Sequence, residues 1–142
     1  VTAAEKNGVK LVAVTLSAPD DWNDHKKLLD NGFNMVTKEK IIDTTSIADN
    51  VDIKNGIEKT VPVKCEEEYY GIKIQGQSYD YEVIYKYDRL KAPVENMQKA
   101  GEALVYLNGK EVFKTNLITT KKVEKEKKTT FFDFIKRIFG LW

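Results

Sequence analysis

Most of this chain is written in short apolar runs broken by turn residues, and two stretches near its ends depart from that texture. The first departure is Lys10–Ser17, which contains LVAVTL, a nearly unbroken β-prone run that suits a strand buried on both faces. Thr2–Asn7 before it is mostly polar and Gly8 supplies a turn; the same composition allows the end of a helix followed by a strand. After it, Pro19-Asp20-Asp21 opens a helix, since acids favour the positive N-terminal end and proline fits the first turn. Trp22, His25, Leu28 and Leu29 share one face of that helix, and Gly32 is placed to end it. One strand and one helix cannot enclose a core. Residues 1–35 therefore read as the last strand and helix of a larger domain whose body lies upstream.

From Val36 the apolar runs are short and regularly punctuated: Val51–Ile53, Val61–Cys65, Tyr69–Ile74 and Tyr81–Tyr87. That spacing predicts an all-β sandwich or barrel. The clearest local signal is Ala103–Thr119, where Asn108-Gly109 is the favoured pair for a two-residue type I′ hairpin. With that turn Val105 faces Val112 on one side and Leu104 faces Phe113 on the other. The expected fold is mainly β: a small antiparallel β-sandwich over residues 36–120, preceded by the strand–helix remnant and followed by a C-terminal amphipathic helix.

The second departure is residues 131–142, FFDFIKRIFGLW. Phe131, Phe134, Ile135, Ile138, Phe139 and Trp142 recur at the spacing of one helical face, with Lys136 and Arg137 opposite. Twelve residues of helix extend roughly 18 Å, short of a hydrocarbon core of about 30 Å. Such a helix closes the protein's own core or lies in a membrane interface, rings down and cations up. Residues 121–130, KKVEKEKKTT, hold five lysines and one apolar residue, Val123, and read as a charged, solvated spacer. A cationic leash favours the interfacial alternative, with a tail that is frayed or loosely packed in water and helical on anionic lipid.

Charge sharpens that picture. The 142 residues carry a net +1, but residues 121–142 hold seven Lys/Arg against three Asp/Glu, a local +4 that leaves the rest at −3. A uniformly basic nucleic-acid binder would not divide its charge this way, and no nucleic-acid partner is expected. With 42% hydrophobic residues the chain can build a core. It opens at Val1 without Met or an apolar leader, as a fragment or a processed protein would. The single cysteine, Cys65, excludes an internal disulfide and any multi-cysteine metal site, and its place in the Val61, Val63, Cys65 alternation suits a small half-buried residue.

Candidate chemistry is sparse, and no catalytic, cofactor or metal site is expected. His25 is the only histidine, and packing beside Trp22 and Leu29 explains it better than general-base work. Asp20, Asp21 and Asp24 lack the glycine and terminal glutamate of an EF-hand and suit a helix start. One pattern suggests binding: Tyr79, Tyr81, Tyr85 and Tyr87 lie at period two on one strand face. Tyrosines there suit a packed core edge or an exposed recognition face for glycan or protein.

Two long stretches resemble one family. KNGVKLVAVTLSAPDDWNDHKKLLDNGF is similar to the end of the catalytic domain of D-alanyl-D-alanine carboxypeptidases, the low-molecular-weight penicillin-binding proteins. LKAPVENMQKAGEALVYLNGKEVFKTNLIT resembles the end of that family's C-terminal β-domain, and the amphipathic tail resembles its membrane anchor. The resemblance implies an α/β serine-peptidase domain upstream, trimming of the terminal D-alanine from peptidoglycan stem peptides, and an extracytoplasmic place on the outer leaflet of the cell membrane. It implies anionic lipid as partner, with peptidoglycan or wall proteins as further partners. The family's chemistry uses S-x-x-K, S-x-N and K-T-G. Here Ser17, Ser46 and Ser78 have neither Lys three on nor Asn two on, and the Lys-Thr pairs at Lys59, Lys114 and Lys128 are never followed by glycine. No catalytic role carries over to any residue of this chain. The alternative of another class is a free-standing β-sandwich module that binds wall polymer or a protein.

Overall fold

The structure is a computed structural model that describes residues 1–128 and 131–140. Its elements run β1 (Thr2–Lys6), β2 (Val9–Ala13), α1 (Asp21–Met35), β3 (Val36–Ile42), β4 (Asp49–Lys54) and β5 (Thr60–Cys65). They continue with β6 (Tyr69–Ile74), β7 (Tyr81–Tyr87), β8 (Leu90–Lys91), β9 (Lys99–Leu107), β10 (Lys110–Thr119) and α2 (Phe131–Phe139). Two compact units divide the chain: Val1–Asp43, Glu68–Ile84 and Leu104–Phe113 in the first, Thr44–Glu67, Tyr85–Ala103 and Lys114 onward in the second.

In the first unit β1 and β2 form an antiparallel hairpin, with Lys6 opposite Val9 across Asn7-Gly8. Both turn residues sit at positive φ, 53° and 74°, as a type I′ turn requires. The polar run before Gly8 is thus a strand, not a helix end. β2 buries Val9 and Ala13, whereas Val12 and Val14 are exposed, so the LVAV run is covered on one face only. Helix α1 does not stop at Gly32. It continues to Met35 and leads directly into β3. Glycine at 32 serves packing: an added Cβ there would lie 2.8 Å from Leu11 Cδ1. β3 pairs antiparallel with β6, Val36 opposite Ile74.

The remaining strands make one sheet in the order β7-β9-β10-β5-β4-β8. The expected β content and the Asn108-Gly109 turn are present, with φ of 51° and 80° at the turn. The sheet is mixed, however, not purely antiparallel: β8 runs parallel to β4, Ile53 opposite Leu90 and Lys54 opposite Lys91. In the second unit the core is built from alternate residues of β4 and β5 (Val51, Ile53, Val61, Val63, Cys65) with Leu117, Val94 and Val123. Gly101 at φ 148° is required where a Cβ would sit 2.1 Å from the Lys86 carbonyl oxygen.

Candidate functional site

The charged segment after β10 begins as part of the second unit rather than as a free leash. Val123 is 2% exposed, and it exchanges backbone hydrogen bonds with Val94 at 2.9 and 2.8 Å. Ile57 N–H donates to the Glu124 carbonyl at 3.0 Å, and Glu126 N–H donates to the Asn55 carbonyl at 2.8 Å. A valine flanked by lysines shows no periodicity, so nothing local marks it for burial; its partners are distant in sequence. The side chains around it are solvated and paired: Lys59 with Glu126 at 3.2 Å, Lys122 with Glu124 at 2.7 Å, and Lys121 with Glu58.

Beyond this segment, α2 forms over the stretch whose spacing predicts it. Its aromatic stripe faces water: Phe131 is 71% and Phe139 70% exposed, Phe134 and Ile138 are exposed, and Ile135 is half-buried. Lys136 and Arg137 lie on the opposite face and are exposed too. None of the described α2 side chains is buried, so the helix does not close the protein's core. Trp142, the last residue of the expected stripe, lies outside the described residues. No helix among the described residues is long and apolar enough to cross a membrane.

Between α2 and the β4–β8 edge runs an open groove of about 690 Å³, lined by Asn55, Lys91, Lys125, Lys127, Lys128 and Asp133, with Glu126 on its wall. Lys91 comes from β8 and Asn55 from the turn after β4, more than thirty residues before the lysines they meet, and no local pattern connects them to that segment. Asn55-Gly56 is itself a turn signal in the sequence, but the isolated antiparallel bridge from Gly56 to Lys125 has no local signal.

The tyrosine row is divided between the units. In the first, Tyr79 and Tyr81 stack with ring centroids 6.4 Å apart, and their hydroxyls donate to Gln77 at 2.7 Å and to the Ile72 carbonyl at 3.2 Å. In the second, Tyr85 and Tyr87 stack at 6.5 Å, and the Tyr87 hydroxyl donates to Asp49. Desolvation first, and the hydrogen bond to Asp49 second, push the Tyr87 phenol up to about 12. The same hydrogen bond holds the Asp49 carboxyl below its usual range. Tyr79, Tyr81 and Tyr85 are half-buried, and Tyr87 is 45% exposed.

His25 is 4% exposed and sits among its neighbours' hydroxyls, Nδ1 at 2.7 Å from Thr2 Oγ1 and Nε2 at 2.7 Å from Thr15 Oγ1. Asp21 lies 3.1 Å from Nε2, and its carboxyl is lowered, chiefly by the hydrogen bond from Thr15. This ring ties β1 and the loop after β2 to α1, a structural use for the chain's one histidine. Cys65 is buried, and burial raises its thiol, which suits the packed residue the strand alternation predicts.

Three comparisons bear on this arrangement. The model of a family described as "Penicillin-binding protein 5, C-terminal domain" matches residues 33–125. A solved penicillin-binding protein 5 from Haemophilus influenzae is similar over 70% of this chain and 30% of its own, with a TM-score of 0.57 and 23% identity. A peptidoglycan synthesis regulatory factor (PBP3) from Streptococcus pneumoniae is similar over 86% of this chain and 38% of its own, with a TM-score of 0.62 and 16% identity. At such identities the likeness is one of fold, and the chain spans about a third of the length of these structures. No curated protein is similar enough in sequence to count as a relative.

Proposed function

The chain belongs to the family of penicillin-binding protein 5 C-terminal domains, and from that membership we propose that it is the non-catalytic C-terminal part of a serine-type D-Ala-D-Ala carboxypeptidase, held on the outer face of the cell membrane by α2. In this reading β1, β2 and α1 are the terminal strands and helix of the α/β catalytic domain. The strands that follow form the family's sandwich-type β-domain, which positions that catalytic domain to trim peptidoglycan stem peptides. The absence of S-x-x-K, S-x-N and K-T-G from the sequence agrees with a supporting role.

The observation that carries the anchor is the exposed aromatic stripe of α2 beside a β-domain that buries its own core without it. A phenylalanine that enters the interface removes on the order of 150–250 Å² from water when fully covered. At about 25 cal/mol per Å², several such rings outweigh the ordering of a short helix by only a few kcal/mol. Lysines near anionic headgroups then supply a further share, about 1 kcal/mol each, which salt screens. The engaged tyrosine hydroxyls favour packing within each unit over a free stacking platform, so the anchor is preferred to a wall-polymer module.

Vesicle co-sedimentation tests it. Wild type should pellet with anionic vesicles and release as salt rises, while Phe139→Asp, which puts a carboxylate into the stripe, should stay in solution with an unchanged β-domain melt. Equal sedimentation of the two, or a lower melting temperature for the variant, would refute the anchor.

A further inference from the structure

We propose that the groove lined by Asn55, Lys91, Lys125, Lys127 and Lys128 is a phosphate-binding site that takes the headgroup of an anionic phospholipid from the bilayer on which α2 lies. The proposal rests on the anchor reading and goes beyond it. General attraction uses any lysine near the surface, whereas this site uses lysines from two distant parts of the chain held at fixed positions.

Backbone pairing sets those positions. Lys91 is opposite Lys54 in the β4–β8 register, and the Ala92 N–H donates to the Lys54 carbonyl at 2.9 Å. Lys125 bridges Gly56, and Glu126 N–H donates to the Asn55 carbonyl. The turn Lys54-Asn55-Gly56 is thus flanked by β8 on one side and by the lysine segment on the other. The acids nearby are already engaged: Glu126 by Lys59, Glu124 by Lys122, Glu58 by Lys121. Among the described residues, Lys91, Lys125, Lys127 and Lys128 take part in no ion pair. Four lysines share the groove with the carboxylates of Glu126 and Asp133, which leaves an excess of positive charge, and phosphate, with several charged oxygens, accepts from more than one lysine at once.

The place of the groove selects the source of that phosphate. Asp133 lines it, and on a helical wheel Asp133 is opposite the Phe131, Ile135, Ile138 stripe. With the rings in the acyl boundary, the polar side of α2 and the groove beside it stand at headgroup level. A volume of about 690 Å³ leaves room for a phosphate and its glycerol.

The test uses the whole chain with Lys91→Gln and, as an off-site loss of the same charge, Lys110→Gln at the β9–β10 turn. Vesicles of phosphatidylcholine are doped either with phosphatidylglycerol or with oleate to the same surface charge. Lys91→Gln should weaken partition onto phosphatidylglycerol vesicles about fivefold or more but onto oleate vesicles less than about twofold. Lys110→Gln should change neither by more than about twofold. In parallel, glycerol 1-phosphate titrated against labelled protein should shift Asn55, Lys91 and Lys125 resonances along one saturable curve, in wild type and in Phe139→Asp alike. Equal loss on both vesicle types, or none on either, overturns the headgroup site while leaving the anchor standing. If wild type fails to bind vesicles, the anchor fails. A saturable glycerol phosphate titration alongside that failure assigns the groove to a soluble phosphate or phosphate-bearing polymer and overturns the lipid source.

Discussion

Val123→Ala should destabilise the second unit although it lies in a run of lysines and glutamates. Its side chain is 2% exposed, it faces the fully buried Val94 across a two-bond bridge, and Cγ1 would stand 3.2 Å from a Cβ added at Gly56. Truncation to alanine removes two buried carbons at about 0.8 kcal/mol each, and the space left behind adds to the loss, for about 2 kcal/mol in all. For a chain of this size that corresponds to a fall in Tm of about 4–10 °C. Val112→Ala, at a site 39% exposed, should stay within about 0.5 kcal/mol and serves as the control. Thermal and urea melts followed by circular dichroism read both variants. Val94→Ala with Val123→Ala should also show a coupling of at least about 0.5 kcal/mol, since the two buried valines pair directly across the bridge. If Val123→Ala melts with wild type, residues 121–126 are a leash after all, and the groove beside Lys91 has no fixed second wall.

Further outcomes follow from the same structure. Incubation with a fluorescent penicillin should leave no covalent band on a denaturing gel, because no serine here has the lysine partner that acylation needs; a band would overturn the account of the missing motifs. A chain lacking residues 1–33 should keep a cooperative β melt, since β3 pairs with β6 and the second unit has a buried core on β4 and β5; loss of the transition would show that the first hairpin belongs to that core. The Tyr87–Asp49 pair gives a pH signature. The phenol is raised in the folded state, so its stabilisation is complete below the usual tyrosine range near 10.0 and is lost as pH rises through about 12. Asp49 is depressed, so its share is present at neutral pH and lost as pH falls through its lowered value. Spectrophotometric titration should show Tyr87→Phe losing the latest-titrating phenol and Asp49→Asn bringing it earlier; an unchanged alkaline limb in both would refute the pairing.

What the sequence by itself determined was everything with a short repeat. The period-two runs became β4, β5, β6 and β7, the Asn108-Gly109 pair made its hairpin, and the three-and-four spacing of Phe131 to Phe139 made α2. The absence of S-x-x-K, S-x-N and K-T-G is equally local and is read from the sequence alone. Asn7-Gly8 carries the hairpin signal as plainly as Asn108-Gly109, but the strand before it is polar, and a two-stranded hairpin with one exposed side needs no apolar alternation. The rest was decided by tertiary structure. Gly32 looks like a helix stop, yet the approach of Leu11 makes it a packing site in a helix that runs on to Met35. Two residues, Leu90 and Lys91, have no period at all, and only β4 beside them makes them a parallel strand. A single valine among lysines becomes a core residue because Val94 and Gly56 lie where it can pair. The lysine groove belongs to this second class: each charge is visible along the chain, but a binding site depends on distances between charges, and backbone pairing across more than thirty residues sets those.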